Sequence, residues 1–132
     1  MTPFPHRPIL VQDGTAFSGR LDEGVGTPSV HLVGTLSHPA PQTVLGPFFE
    51  QVHARLLENT SPVVEVDLRD VVYMNSASFK SLIEWICLIQ SPGALRRYRL
   101  CFLVDRKRRW QPTSVHALRC FAPELVEMTS AN

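Results

Sequence analysis

Residues 63–86 read VVEVDLRDVVYMNSASFKSLIEWI, and the fold turns on how this stretch divides. Val64, Val66 and Leu68 alternate with Glu65 and Asp67, the period of two that puts one face of a strand on a core and the other towards a more polar surface. From Ser76 the period changes. Phe79, Leu82, Ile83, Ile86 and Ile89 recur at three- and four-residue spacing, the apolar stripe of a helix over Ser76–Gln90 that Pro92-Gly93 stops. Between strand and helix lies the polar cluster Asn75-Ser76-Ala77-Ser78. A helix start leaves up to four backbone N–H groups without partners, and Asn and Ser are among the residues that supply an acceptor there. Asn75 or Ser76 is therefore the expected cap.

Working outward, the same periodicities divide the rest of the chain. Ser29–Leu36 (SVHLVGTL) alternates as a strand, with Thr15–Arg20 a short edge strand before it and Asp22–Pro28 the turn between them. From Thr43 to Glu58, Val44, Leu45, Phe48, Phe49, Val52, Leu56 and Leu57 fall at helical spacing, and Pro47 sits near the first turn, where a missing N–H costs little. Leu100–Val104 (LCFLV) is a short apolar run of the length of a central buried strand. Gln111–Phe121 is a helix with Pro112 in its first turn and Pro123 past its end, and Leu125–Thr129 a last strand. Residues 1–14, with three prolines, form an extended or frayed lead-in to a single domain over 15–132. The order ββαβαβαβ predicts an α/β fold with a mostly parallel sheet.

The 132 residues are 44% hydrophobic and 19% charged, the profile of one globular domain. A net charge of +1 gives no general attraction to nucleic acid or membrane. Seven of the 13 cationic residues nevertheless crowd into Arg96-Arg97-Tyr98-Arg99 and Arg106-Lys107-Arg108-Arg109. The run RKRRW joins cations to an aromatic, yet no fingerprint of a nucleic-acid module accompanies it, so nucleic acid is not an expected partner. Cys87, Cys101 and Cys120 are odd in number, share no CxxC spacing and lie within apolar patterns. They read as reduced, buried thiols of a cytosolic protein. No metal or other cofactor is expected, because the Cys and His residues do not form the two closely spaced ligand pairs of a zinc site. The N-terminus lacks the pattern of a signal peptide, and no apolar run reaches membrane-spanning length.

The text around Asp67–Phe79 resembles the STAS domain of sulfate transporters and anti-sigma factor antagonists. That family carries a strand ending in Asp-Leu, a short apolar turn, and Asp-Ser-Ser-Gly opening the next helix; the matching positions here read Asn75, Ser76, Ala77 and Ser78. Gly34-Thr35-Leu36 is similar to the family's Gly-x-Leu. The resemblance implies a mixed, mostly parallel sheet of four or five strands with helices mainly on one face. It also implies a bacterial signalling role exercised by protein contact. In antagonists of this kind the first serine of the motif is phosphorylated by a kinase that doubles as the anti-sigma factor, and a phosphatase can reverse it. Carried over, that serine is Ser76. Asn75 departs from the family's Asp, and Ser78 from its Gly, adding a side chain where a partner backbone would approach.

Partner contact is accordingly expected at Asn75, Ala77, Ser78, Lys80, Ser81 and Trp85. Trp85 and Leu88 fall off the core stripe, where an exposed face would be polar; they either form a partner patch or pack under another helix or the N-terminal lead-in. If the strands before Ser76 and before Arg106 are neighbours, Arg106, Arg108 and Arg109 share a rim with Ser76, ready for its phosphate or an acidic partner face. A constitutive adaptor, or a sensor of small anions at the same rim, would use the same residues without a switch. No enzyme is expected. Asp67, Asp70, Ser76 and the histidines His6, His31, His38, His53 and His116 form no nucleophile elbow, metalloprotease motif or phosphate loop, and His53 and His116 read as solvated helix residues.

Overall fold

A computed structural model describes residues 8–24, 26–91 and 97–130. Strands β1 (Leu10–Asp13), β2 (Phe17–Asp22) and β3 (Ser29–Leu36) come first, then helix α1 (Leu45–Glu58) after a 3₁₀ turn at Pro41–Thr43. Strand β4 (Val63–Met74), helix α2 (Ser76–Ile89), strand β5 (Arg99–Val104), helix α3 (Trp110–Phe121) and strand β6 (Val126–Ser130) complete the chain. The six strands form one sheet in the order β1-β2-β3-β4-β5-β6, so place in the sheet follows place in the chain. The pairs β1–β2 and β2–β3 are antiparallel, whereas β3 to β6 run parallel.

Each helix crosses from one strand to the next in the same sense, and right-handed crossovers taken in one direction place α1, α2 and α3 on the same face. That face holds the core. Val30 and Leu32 of β3, Val64, Val66 and Leu68 of β4, and Leu100, Phe102 and Val104 of β5 are buried with Phe48, Val52 and Leu56 of α1, Leu82, Ile86 and Ile89 of α2, and Val115 and Leu118 of α3. Each such side chain contributes about 1.5–3 kcal/mol by leaving water. The other face is more polar, as the alternation around Glu65 and Asp67 requires. There Asp67 accepts Arg69 Nε at 3.0 Å and Nη2 at 2.9 Å, with His31 Nε2 at 3.9 Å. Burial pushes the Asp67 carboxyl up, but the hydrogen bonds and charge of Arg69, helped by His31, leave it below its ordinary value.

The sheet has six strands where four or five were expected. The lead-in supplies the extra one, since Leu10–Asp13 pairs with Asp13↔Phe17 to Leu10↔Arg20 register. The expected edge strand begins later, at Phe17, because Gly14–Ala16 form the turn between β1 and β2. Strand β4 extends to Met74, six residues past its expected end. Pro92-Gly93 and Arg96 lie outside the described residues. The cysteines differ from expectation as well: Cys87 and Cys120 are exposed on their helices and Cys101 is half-buried on the polar sheet face.

The long β4 outruns β5, whose pairing stops at Asp67↔Leu103. Beyond it, two register shifts opposite β3, between His31 and Val33 and between Gly34 and Thr35, show that β4 carries extra residues there. Gly34 adopts φ 104°, and a Cβ there would fall 2.1 Å from the Ala16 carbonyl oxygen, so only glycine fits. On the side that β5 leaves open, α3 supplies side chains. Gln111, fully buried, donates from Nε2 to the carbonyls of Leu68 (2.7 Å) and Val71 (2.9 Å) and accepts the Asp105 N–H at 2.8 Å. Trp110 Nε1 donates to Val72 O at 3.1 Å.

Candidate functional site: the N-terminus of helix α2

The start of α2 is tied to the end of β3 through Asn75. Its Oδ1 accepts the Ser78 N–H at 2.8 Å, the bond of an N-cap, while Nδ2 donates to His38 O at 3.2 Å and its backbone N–H to Leu36 O at 2.8 Å. The Asn75 carbonyl takes the Phe79 N–H. Of the two candidate caps, then, Asn75 acts, and both ends of its amide are used. A carboxylate could accept from Ser78 but could not donate to His38 O, which accounts for an amide where the resembling family has an acid.

Ser76 is freed by this arrangement. It is the first helical residue, exposed, and its hydroxyl has no hydrogen-bond partner among the described residues. Ala77 and Lys80 are exposed beside it. Asn75 satisfies the N–H groups of Ser78 and Phe79, leaving those of Ser76 and Ala77 without an acceptor among the described residues. Exposed N–H groups and the positive end of the helix dipole favour an anion at this spot.

Three of the expected contact residues lie inside. Ser78 is 1% exposed and donates from Oγ to Leu36 O at 3.4 Å, so its side chain points away from any partner that would meet a glycine in the family motif. Ser81 is buried between α1 and α2. Trp85 belongs to the core: 1% exposed, stacked on Phe49 (centroids 4.8 Å, planes 13° apart), it donates from Nε1 to Tyr98 Oη at 2.9 Å. Tyr98 in turn meets His53 Nδ1 at 2.7 Å. A tyrosine read as part of a basic run and a histidine read as solvated thus form a hydrogen-bonded chain with Trp85. Only tertiary packing creates it, and no local spacing announces it.

The cationic run lies on the same sheet edge as Ser76. Strands β4 and β5 are parallel neighbours, so the loops that follow them leave from one side. Asp105 shapes the second loop, its carboxylate accepting the Lys107 N–H at 2.9 Å and its carbonyl the Arg108 N–H. Arg106, Lys107 and Arg109 are exposed and form no ion pair among the described residues; Arg108 is half-buried with Nε unpartnered. The Trp110–Val72 bond holds this loop against the strand that leads to Ser76. No contact joins an arginine of the run to Ser76 among the described residues.

Among those residues no helix is long and apolar enough to cross a membrane. No protein-family model matches the sequence, and no curated protein is significantly similar to it. Among solved structures, the chain is similar to an anti-sigma factor antagonist from Mycobacterium paratuberculosis, with a TM-score of 0.54 and 15% identity over 89% of this chain and 90% of that one. At that identity the likeness is one of architecture. Six strands in chain order and three helices on one face give this chain the fold of that anti-sigma factor antagonist, a STAS-like architecture.

Proposed function

We propose that this protein is a non-enzymatic interaction module in bacterial signalling, similar in role to the anti-sigma factor antagonists. The N-terminus of α2 is its contact point and Ser76 its regulated hydroxyl. The observation that carries the reading is the division of labour between neighbours: Asn75 caps the helix, so the hydroxyl of Ser76 is exposed and spare. A phosphoryl group on it would add about −1.5 to −2 charge beside the free N–H groups of Ser76 and Ala77, where the dipole favours it. The domain would hold either form without rearranging, and a partner resting on Ser76, Ala77 and Lys80 would meet an uncharged hydroxyl in one and a phosphate dianion in the other.

The partner implied is a protein serine kinase that also serves as an anti-sigma-like regulator, with a phosphatase to restore the hydroxyl. Arg106 and Arg109, on the same edge and without ion-pair partners among the described residues, suit an acidic patch of that partner. The test is direct. Incubation with such a kinase and ATP should retard the protein on a phosphate-affinity gel, and Ser76→Ala should abolish the shift. In binding assays Ser76→Ala should hold the partner and Ser76→Asp should release it. Equal binding by both variants would leave a constitutive adaptor and refute the switch.

A further inference from the structure

A second site lies between α1 and α2, away from the phosphorylatable end. They flank an open groove of about 370 Å³, walled by Gly46, Pro47 and Phe49 on one side and by Ser81, Trp85 and Leu88 on the other. This is within the roughly 300–1,000 Å³ of pockets that hold ligands. Its rim is acidic, with Glu50 contributed by α1 and Glu84 by α2, both exposed and neither in an ion pair among the described residues. Its floor holds a polar group: Ser81 is 3% exposed, and its hydroxyl, which has no hydrogen-bond partner among the described residues, opens to the groove's solvent.

We propose that this groove docks a segment of a partner protein in which a lysine or arginine stands among small apolar residues. The apolar walls take the aliphatic stem and its neighbours, the Ser81 hydroxyl accepts from or donates to the segment's backbone, and the cationic head lies between Glu50 and Glu84. Acidic or purely apolar segments fit worse, the first by repulsion and the second by leaving two carboxylates unmatched. That the occupant is a protein segment, and not a free organic amine, rests on the proposed contact role of α2. Ser76, Lys80, Glu84 and Leu88 follow one another at four-residue spacing, so a protein lying along that row reaches the groove from the Ser76 end.

The test uses the full chain, ¹⁵N-labelled, titrated with a pool of acetylated hexapeptides carrying one Lys or Arg among Ala and Leu. The basic pool should shift the Trp85 indole and Ser81 amide resonances, and a pool with Glu in place of the cation should not. Glu50→Gln and Glu84→Gln, both at exposed positions, should each weaken binding about two- to fivefold, as expected of a partly solvated ion pair. Ser76→Ala should leave it unchanged, so failure here and failure of the Ser76 switch are separable. Absence of shifts with the basic pool, equal shifts with the acidic pool, or affinity indifferent to both glutamate substitutions would overturn the proposal. Benzylamine binding as tightly as the peptides would also overturn it, by assigning the groove to free amines.

Discussion

The indole N–H of Trp85 donates to the phenolic oxygen of Tyr98, a 2.9 Å bond between side chains that are respectively 1% and 0% exposed. Because that oxygen already accepts from Trp85, its own proton is best given to His53 Nδ1, 2.7 Å away, which makes the imidazole the acceptor. The chain fastens α1, α2 and the entry to β5 together beneath the core. Replacing Tyr98 by Phe keeps the ring but strands the Trp85 N–H. Leaving one buried donor unsatisfied costs about 1–3 kcal/mol, and denaturant unfolding of Tyr98→Phe should report a loss in that range.

The same chain makes stability depend on pH. Burial holds the His53 imidazole below its ordinary value of 6.5. In the unfolded chain the ring protonates near that value, whereas the folded protein resists the proton until lower pH. In the interval the unfolded state binds more protons, so the contribution is present above about 6.5 and is lost as pH falls through the window below it. Chemical denaturation series across this range should show stability climbing towards pH 6.5 and levelling above it. His53→Gln should flatten that slope.

Gln111 is the strongest candidate for a structural lesion outside the contact surface. Its amide serves Leu68 O, Val71 O and the Asp105 N–H. Gln111→Leu conserves bulk but orphans two carbonyls and an amide in a buried place, a loss of about 3 kcal/mol when the separate penalties are discounted for non-additivity. Hydrogen exchange should rise most at the far half of β4 and the following loop, and equal protection there would contradict this anchoring role.

At the cap, Asn75→Ala should cost about 1 kcal/mol through loss of the Ser78 bond. Asn75→Asp keeps that acceptor and gains a charge at the helix start, but it sets a carboxylate against His38 O. Its stability should lie between wild type and Asn75→Ala. Thermal melts of the three proteins decide the order.

Much of the frame was legible because it rests on periodicity. The alternation of Val64, Val66 and Leu68, the stripe of α2 and the apolar run of β5 report burial directly, and with Ser29–Leu36 and Leu125–Thr129 all four parallel strands were expected. The run Arg69–Met74 was not legible as strand because its register shifts break the period of two: Arg69 and Asp70 are both exposed, as are Val72 and Tyr73. Bulges of this kind erase alternation while keeping the backbone extended. At the site, Ser76 could be placed at a helix start from sequence, but the choice of Asn75 as cap depends on the carbonyls of Leu36 and His38, some forty residues earlier. Of the two readings of Trp85, packing under another helix holds and the partner contact does not, for a related reason. Its ring fills the space against Phe49, and its N–H needs Tyr98, a partner that no helical spacing can name.

The agreement between chain order and sheet order has a consequence for how the molecule is made. No strand waits for a later segment to be inserted between itself and its neighbour. As the polypeptide leaves the ribosome, the β1–β2–β3 meander can form a template, and each later helix–strand unit can add to an edge already in place. The Ser76 end of α2 is laid down before β5 and α3 exist. Gln111 and Trp110 then arrive last to secure the strand beneath it, so the site acquires its final rigidity only when synthesis of the domain is nearly over.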